Sequence, residues 1–300
     1  MEISTDYVAW LLRMMPCRHL FCSQPLDLRS VNMDRQLPIV PKKKWSTAKT
    51  VWSAIFLLYS YGIYQMNAQE DERGIQKAGL GGPARESYGL APLLEEWSGA
   101  IVQVYAARTR GSKGTMAVHS WVATKRPNAD HYIVSQVIGW RLDQAGTALF
   151  SEPGIPDSDW YGNPPTLLLH ISGDEALIDK IEAAVARYPW KGEYTVWPGP
   201  NSNTFVAWLG LQVPELRLDL PATAIGKDWR PWRSTFGWSA SGTGVQLSVQ
   251  GLLGASVGYE EGLEVNVLGL SAELDLFDLA VELPAVGRMG KGTESFNSKK

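Results

Sequence analysis

Three textures of apolar and polar positions follow one another along the chain. The first is residues 47–66, TAKTVWSAIFLLYSYGIYQM, which carry no charged side chain between Val51 and Tyr64. With its flanks the run approaches the roughly 20 apolar residues that span a bilayer. Trp52, Tyr59, Tyr61 and Tyr64 suit the two interfaces of such a span. Lys42, Lys43, Lys44 and Lys49 lie on the N-terminal side, and Glu70, Asp71 and Glu72 on the other. This asymmetry predicts an anchor with a cytoplasmic leader, residues 1–46, and an exported bulk. Two other readings stay open: a cleaved signal peptide ending near Met66-Asn67-Ala68, and a buried core helix. Residues 67–95 are rich in Gly, Pro and charge and read as a linker.

The second texture, residues 96–235, mixes periods of two and of 3.6. Ala100–Tyr105, Thr115–Thr124 and His131–Leu142 alternate as strands, with a turn at Lys125–Asp130 between the last two. Leu167–Ile171 is a further short strand. Asp174 caps a helix carried by Ala176, Leu177, Ile178, Ile181, Ala184 and Val185, which Tyr188-Pro189 ends. Tyr194–Trp197 reads as extended, and Pro198-Gly199-Pro200 as a turn. Asn203–Leu211 is an apolar helix with Asn201 or Ser202 at its cap. The third texture, residues 236–290, is strand after strand. Val245, Leu247 and Val249, then Leu263, Val265 and Val267, alternate with polar residues, and glycines punctuate them in two or three hairpins. The last ten residues, 291–300, form a polar tail. The expected fold class is α+β: an antiparallel sheet with packed helices, then a strand-rich C-terminal part.

Composition narrows the chemistry. The chain has 300 residues and a formal net charge of −3, without a basic stripe after residue 70, which argues against nucleic acid as a partner. Twelve of the 13 tryptophans lie at or after residue 45. They pack a core or line a cleft or membrane-facing belt. The two cysteines, Cys17 and Cys22, both precede the hydrophobic run, so the main region has neither disulfide nor thiolate. With His19 alone between them they make no metal site, and no cofactor motif is present. Asp157-Ser158-Asp159, beside Pro153 and Pro156, reads as a solvated turn.

One constellation could carry chemistry. In Gly199-Pro200-Asn201-Ser202-Asn203-Thr204-Phe205-Val206 a turn delivers Ser202 to a helix start, where unpaired N–H groups and the helix dipole favour an anion. His119 lies mid-strand upstream, a base for such a nucleophile. A histidine on a strand followed much later by a nucleophile at a helix start resembles the circularly permuted papain-like superfamily. That group includes NlpC-like and lecithin retinol acyltransferase-like enzymes. The cysteine of those enzymes is replaced here by Ser202. More closely, residues from about Trp97 to Gly290 resemble an uncharacterised bacterial envelope family, domain of unknown function 3750. His119-Ser120-Trp121-Val122, Trp197–Phe205 and the strands around Leu252-Leu253-Gly254 and Glu261–Asn266 carry that resemblance.

The resemblance implies a permuted papain-like cleft in an inner-membrane protein with a periplasmic main domain, acting on a lipid ester or a cell-wall peptide amide. Ser202 would be the nucleophile and His119 the base. By register, a hairpin turn centred on Pro127–Asp130 pairs His119 with a residue near 136–138, so Gln136 would orient the imidazole, with His131 as the lesser alternative. Trp121 and Trp197 would line the cleft, and Asn201 and Asn203 would bind a substrate carbonyl. The alternatives are a non-catalytic binding module that keeps the fold, and a structural subunit of a membrane assembly. The last of these predicts a large exposed apolar patch on the strands near residues 245–285.

Overall fold

The computed structural model describes Ser53 and residues 86–290, apart from 111, 112, 115, 277, 278, 285 and 286. The run at 47–66 otherwise lies outside the described residues, as do Cys17, Cys22 and the tail. Among the described residues no helix is long and apolar enough to cross a membrane. The chain divides after Ile55, and every element below belongs to the second unit, Phe56–Lys300.

The elements are α+β, with two antiparallel sheets and few helices. The first sheet has five strands: β1 (Ile101–Arg108), β2 (Val118–Lys125), β3 (Tyr132–Val137), β4 (Leu149–Gly154) and β5 (Pro165–Ser172), in the order β4-β3-β2-β1-β5. β1 and β2 are central and buried on both faces. One face, through Val102, Val104, Ala106, Val118 and Val122, joins the main core. Two helices cover it: α2 (Glu175–Ala186) through Leu177, Ile178 and Ile181, and α3 (Ser202–Gln212) through Phe205, Val206 and Leu209. The other face, through Tyr105, Trp121, Ala123 and Val134, is covered by Leu90, Leu94, Trp140 and Trp160.

The third predicted strand, His131–Leu142, ends early. β3 stops at Val137, and Arg141–Ala145 forms a short helix, α1, closed by Gly146 in the left-handed region. Gly139 marks the break, because a Cβ there would sit 2.6 Å from the Tyr194 ring. The chain then returns as β4, paired Val137↔Leu149 through Tyr132↔Gly154. Its sequence, LFSEPG, carries no alternation that marks a strand, and it contains Pro153. An edge strand tolerates a proline, since one side of its backbone needs no partner. Tyr194–Trp197, expected to be extended, joins neither sheet. Asp174 caps α2 as expected, its side chain accepting from the Leu177 N–H at 2.9 Å.

The second sheet is a seven-stranded meander: β6 (Phe236–Trp238), β7 (Gly244–Val249), β8 (Leu253–Gly258), β9 (Gly262–Val267), β10 (Leu270–Asp275), β11 (Ala280–Leu283) and β12 (Gly287–Met289). The register carries one row of cross-strand neighbours over it: Gln246, Ser256, Glu264, Glu273, Glu282 and Arg288. That polar row is buried at every position from Gln246 to Glu282. It faces the connecting segment from Val213 to Arg230. Ala222 N–H donates to Glu282 at 3.0 Å, and Lys227 reaches Glu264 at 2.5 Å. The apolar half of the alternation faces out.

Candidate functional site

Asn201, not Ser202, is the cap of α3. Its side-chain oxygen accepts from the backbone N–H of Asn203 at 2.9 Å and of Thr204 at 3.1 Å, while Thr204 Oγ1 accepts from the Asn201 N–H at 3.1 Å. This capping box fills the helix start from within. Two of the N–H groups that the sequence offered to an anion, those of Asn203 and Thr204, are therefore engaged.

Both asparagines turn their remaining amide atoms to the protein itself. Asn201 Nδ2 donates to the carbonyls of Val196 and Ile225, each at 3.0 Å. Asn203 Nδ2 donates to Val118 O at 3.0 Å and Ile225 O at 2.8 Å, and its Oδ1 accepts from Ser120 Oγ at 2.8 Å. Thr204 Oγ1 adds a bond to Gly226 O at 2.8 Å. Gly226, with φ +97°, is where the loop must come close: a Cβ there would lie 2.3 Å from Asn201 Nδ2. Expected as binders of a substrate carbonyl, Asn201 and Asn203 instead clamp the helix start to strand β2 and to the loop at 225–226.

This clamp fixes the relation between Ser202 and His119. Ser120 points to α3, because its hydroxyl reaches Asn203. Successive side chains of a strand point to opposite faces, and β2 pairs with β1 without a register shift over its whole length. His119 therefore points away from α3. It stacks on Trp160, ring centroids 3.6 Å apart and 5° from parallel, and lies 5.9 Å from Trp121. Ser202 and His119, expected to meet, lie on opposite faces of the first sheet. No hydrogen bond joins them among the described residues.

Other expected partners fall as follows. Gln136 does hold the imidazole: His119 Nε2 and Gln136 Oε1 are 2.7 Å apart, and both side chains are buried. An amide oxygen only accepts, so the proton is on Nε2. Trp121 lines no cleft. It is 3% exposed, stacks on Tyr105, and donates through Nε1 to Pro156 O at 2.7 Å. Trp197 joins the first layer to the second sheet, donating to Leu268 O at 2.9 Å and packing by Ile225 and Leu270. His131 is exposed and pairs with Asp130 at 2.6 Å.

Two residues that sequence reasoning misplaced complete the picture. Trp160 is the plate under His119; a tryptophan within an acidic, proline-bounded stretch gave no periodic signal. Asp157, read as part of a solvated turn, is fully buried. Its Oδ2 accepts from Ser87 Oγ at 2.9 Å and from the N–H groups of Leu90 at 2.7 Å and Ala91 at 3.3 Å. It pins the segment that covers the His119 face. Burial, reinforced by the charge of Asp157, raises the Tyr105 phenol above its ordinary range, so it stays neutral.

Residues 99–229 match the family model described as "Protein of unknown function (DUF3750)". That stretch is what the chain shares with the DUF3750 family. It contains β1 to β5 and α1 to α3, with His119, Gln136 and Ser202. The resemblance was expected to run to Gly290, whereas the matched DUF3750 stretch stops at Trp229, before the second sheet. No curated protein and no solved structure matches the chain. Among the described residues no group of His, Cys, Asp and Glu is arranged to hold a metal ion.

Proposed function

We propose that this chain is a non-catalytic binding and assembly module of the bacterial envelope, held at the inner membrane by residues 47–66. In this reading the DUF3750 domain keeps a helix-on-sheet frame of the permuted papain-like kind but uses it as a scaffold. The observation that carries the reading is the separation of Ser202 from His119 by the sheet itself. A serine hydroxyl is a weak acid and becomes a nucleophile only with a base in contact. The helix start supports the same conclusion, since Asn201 occupies two of its free N–H groups, those of Asn203 and Thr204.

Labelling with a fluorophosphonate probe tests it. The full chain is run beside Ser202→Ala and His119→Ala. No labelling at Ser202 in the folded protein is expected. Labelling that both substitutions abolish would establish an activated serine and replace this reading with a serine hydrolase or acyltransferase.

A further inference from the structure

The second sheet is inverted. Its buried face is the polar one, and its outward face carries a continuous apolar row from Trp238 on β6 through Val245, Val257, Leu263 and Leu274 to Met289 on β12. No charged side chain stands in that row. Seven strands about 4.8 Å apart, most of them six residues long at about 3.3 Å each, give a face of roughly 600 Å² in projection. Standing side chains enlarge it beyond the few hundred Å² of contiguous apolar surface that a monomer ordinarily exposes. From this face we infer that the second sheet rests on the hydrocarbon of one membrane leaflet.

Three observations favour lipid over a second protein surface. The exposed aromatic side chains of the sheet sit at its perimeter: Phe236 and Trp238 on the edge strand β6, and Tyr259 at a hairpin end, while the interior strands expose Leu and Val. A protein interface has the reverse arrangement, a bulky apolar centre inside a polar rim. Aromatic side chains around an apolar field suit the boundary between headgroups and acyl chains. The polar groups are turned inward and are widely bonded to one another, as a protein against lipid requires. Asp228, for example, accepts from Asn266 and Ser271, each at 2.9 Å. Finally, the same chain carries the uncharged run Val51–Tyr64 beside four lysines, so two separate regions favour one phase and tethering by either strengthens the other.

Strand length fixes how the sheet sits. Six residues rise about 20 Å, short of the 9–11 residues a membrane-spanning strand needs. The edge strands β6 and β12, three residues each, leave backbone groups that hydrocarbon would strand. The sheet therefore lies face-down at one leaflet with its edges at the headgroups. This inference holds whether or not Ser202 is reactive.

An environment-sensitive probe distinguishes the occupants. The full chain, with Cys17→Ser and Cys22→Ser, is labelled with a nitrobenzoxadiazole dye at Leu263→Cys or, as a control, at the exposed Asp143→Cys on α1. It is mixed with phosphatidylethanolamine and phosphatidylglycerol vesicles containing an acyl-chain spin label. The expected result is blue-shifted emission at 263, quenched several-fold more than at 143. Val257→Asp with Leu274→Asp, both at exposed positions, should bring quenching at 263 down to the control while circular dichroism stays unchanged. Emission at 263 typical of water would show the face bare and overturn the inference. Blue-shifted emission indifferent to the lipid quencher would show a protein cover, a second copy or residues 1–85, and would overturn it equally.

Discussion

The two sheets alternate with the same period of two and bury opposite halves of the alternation. In β1 and β2 every position but Arg108 is enclosed, valines beneath the helices and aromatics beneath the Trp160 loop. In β7, β9 and β10 the valines and leucines face out, while Gln246, Glu264, Asn266 and Glu273 face in. The first sheet is held by apolar burial with a few polar clamps. The second is held by a buried network around Lys227 and Asp228. The difference teaches that period two marks a strand with two unlike faces, but says nothing about which face the rest of the chain will cover.

The largest expected effect breaks the comparison directly. A charge placed at Val104, which is 1% exposed, has no partner. Val104→Asp should destabilise by about 4 kcal/mol or more, enough to unfold the domain. Val257→Asp in the second sheet, at an exposed position, should change stability in detergent-free solution by about 0.5 kcal/mol or less. Urea denaturation of the two side by side measures the contrast. Equal losses would mean that the outward face is in truth a core.

Next comes the network itself. Lys227 bridges Glu264 at 2.5 Å and Asp228 at 3.7 Å, all three almost fully buried. Burial opposes its charge, but the two carboxylates win and raise its pKa, so it stays an ammonium. Lys227→Met leaves those carboxylates without their cation and should cost about 3–5 kcal/mol in the same assay. Lys227→Met with Glu264→Leu should recover most of the loss, because a paired removal strands less charge.

The smallest effect sharpens the comparison by pH. Burial, with the charges of Asp219 and Glu282 added, holds Glu273 up to about 9 against an ordinary 4.5. Between those values the folded protein keeps a proton that the unfolded chain has released. Its contribution is complete below about pH 4.5 and is lost as pH rises toward 9. Glu273→Gln retains a group that can accept from Arg288, now 3.2 Å away, and should flatten the decline of the urea midpoint across that window. No comparable slope is expected from the apolar face of the first sheet.

Much of the frame was legible in the chain. Asp174 and the spacing after it gave α2. The Pro-Gly-Pro turn and Asn201 gave the start of α3. Alternation gave β1, β2 and the strand-rich end. Local signals failed where an edge or a face decides. β4 is an edge strand, so Pro153 is admissible there, but no alternation in the sequence marks it as a strand. Gln136 was named as the partner of His119 because hairpin register alone places it close. Ser202 could not be placed against His119 in that way, since the side of the sheet on which a helix packs is not written near either residue. Asn203 looked like a ligand group for the same reason: its three partners, Val118, Ser120 and Ile225, come from segments far away in sequence.

The sequence by itself determined most of the elements and their order, the antiparallel run of the first strands, and the match of residues 99–229 to the DUF3750 family model. Local dihedral preference, capping and period act within a few residues of each position, and a meander needs little more. Tertiary structure alone decided which face of each strand is enclosed, that Ser202 and His119 fall on opposite faces of the first sheet, and that the second sheet turns its apolar half outward. The last of these follows from where the segment Val213–Arg230 lies. Once buried, its Ala222 N–H and its Lys227 ammonium need partners, and Glu282 and Glu264 on the polar half of the second sheet supply them.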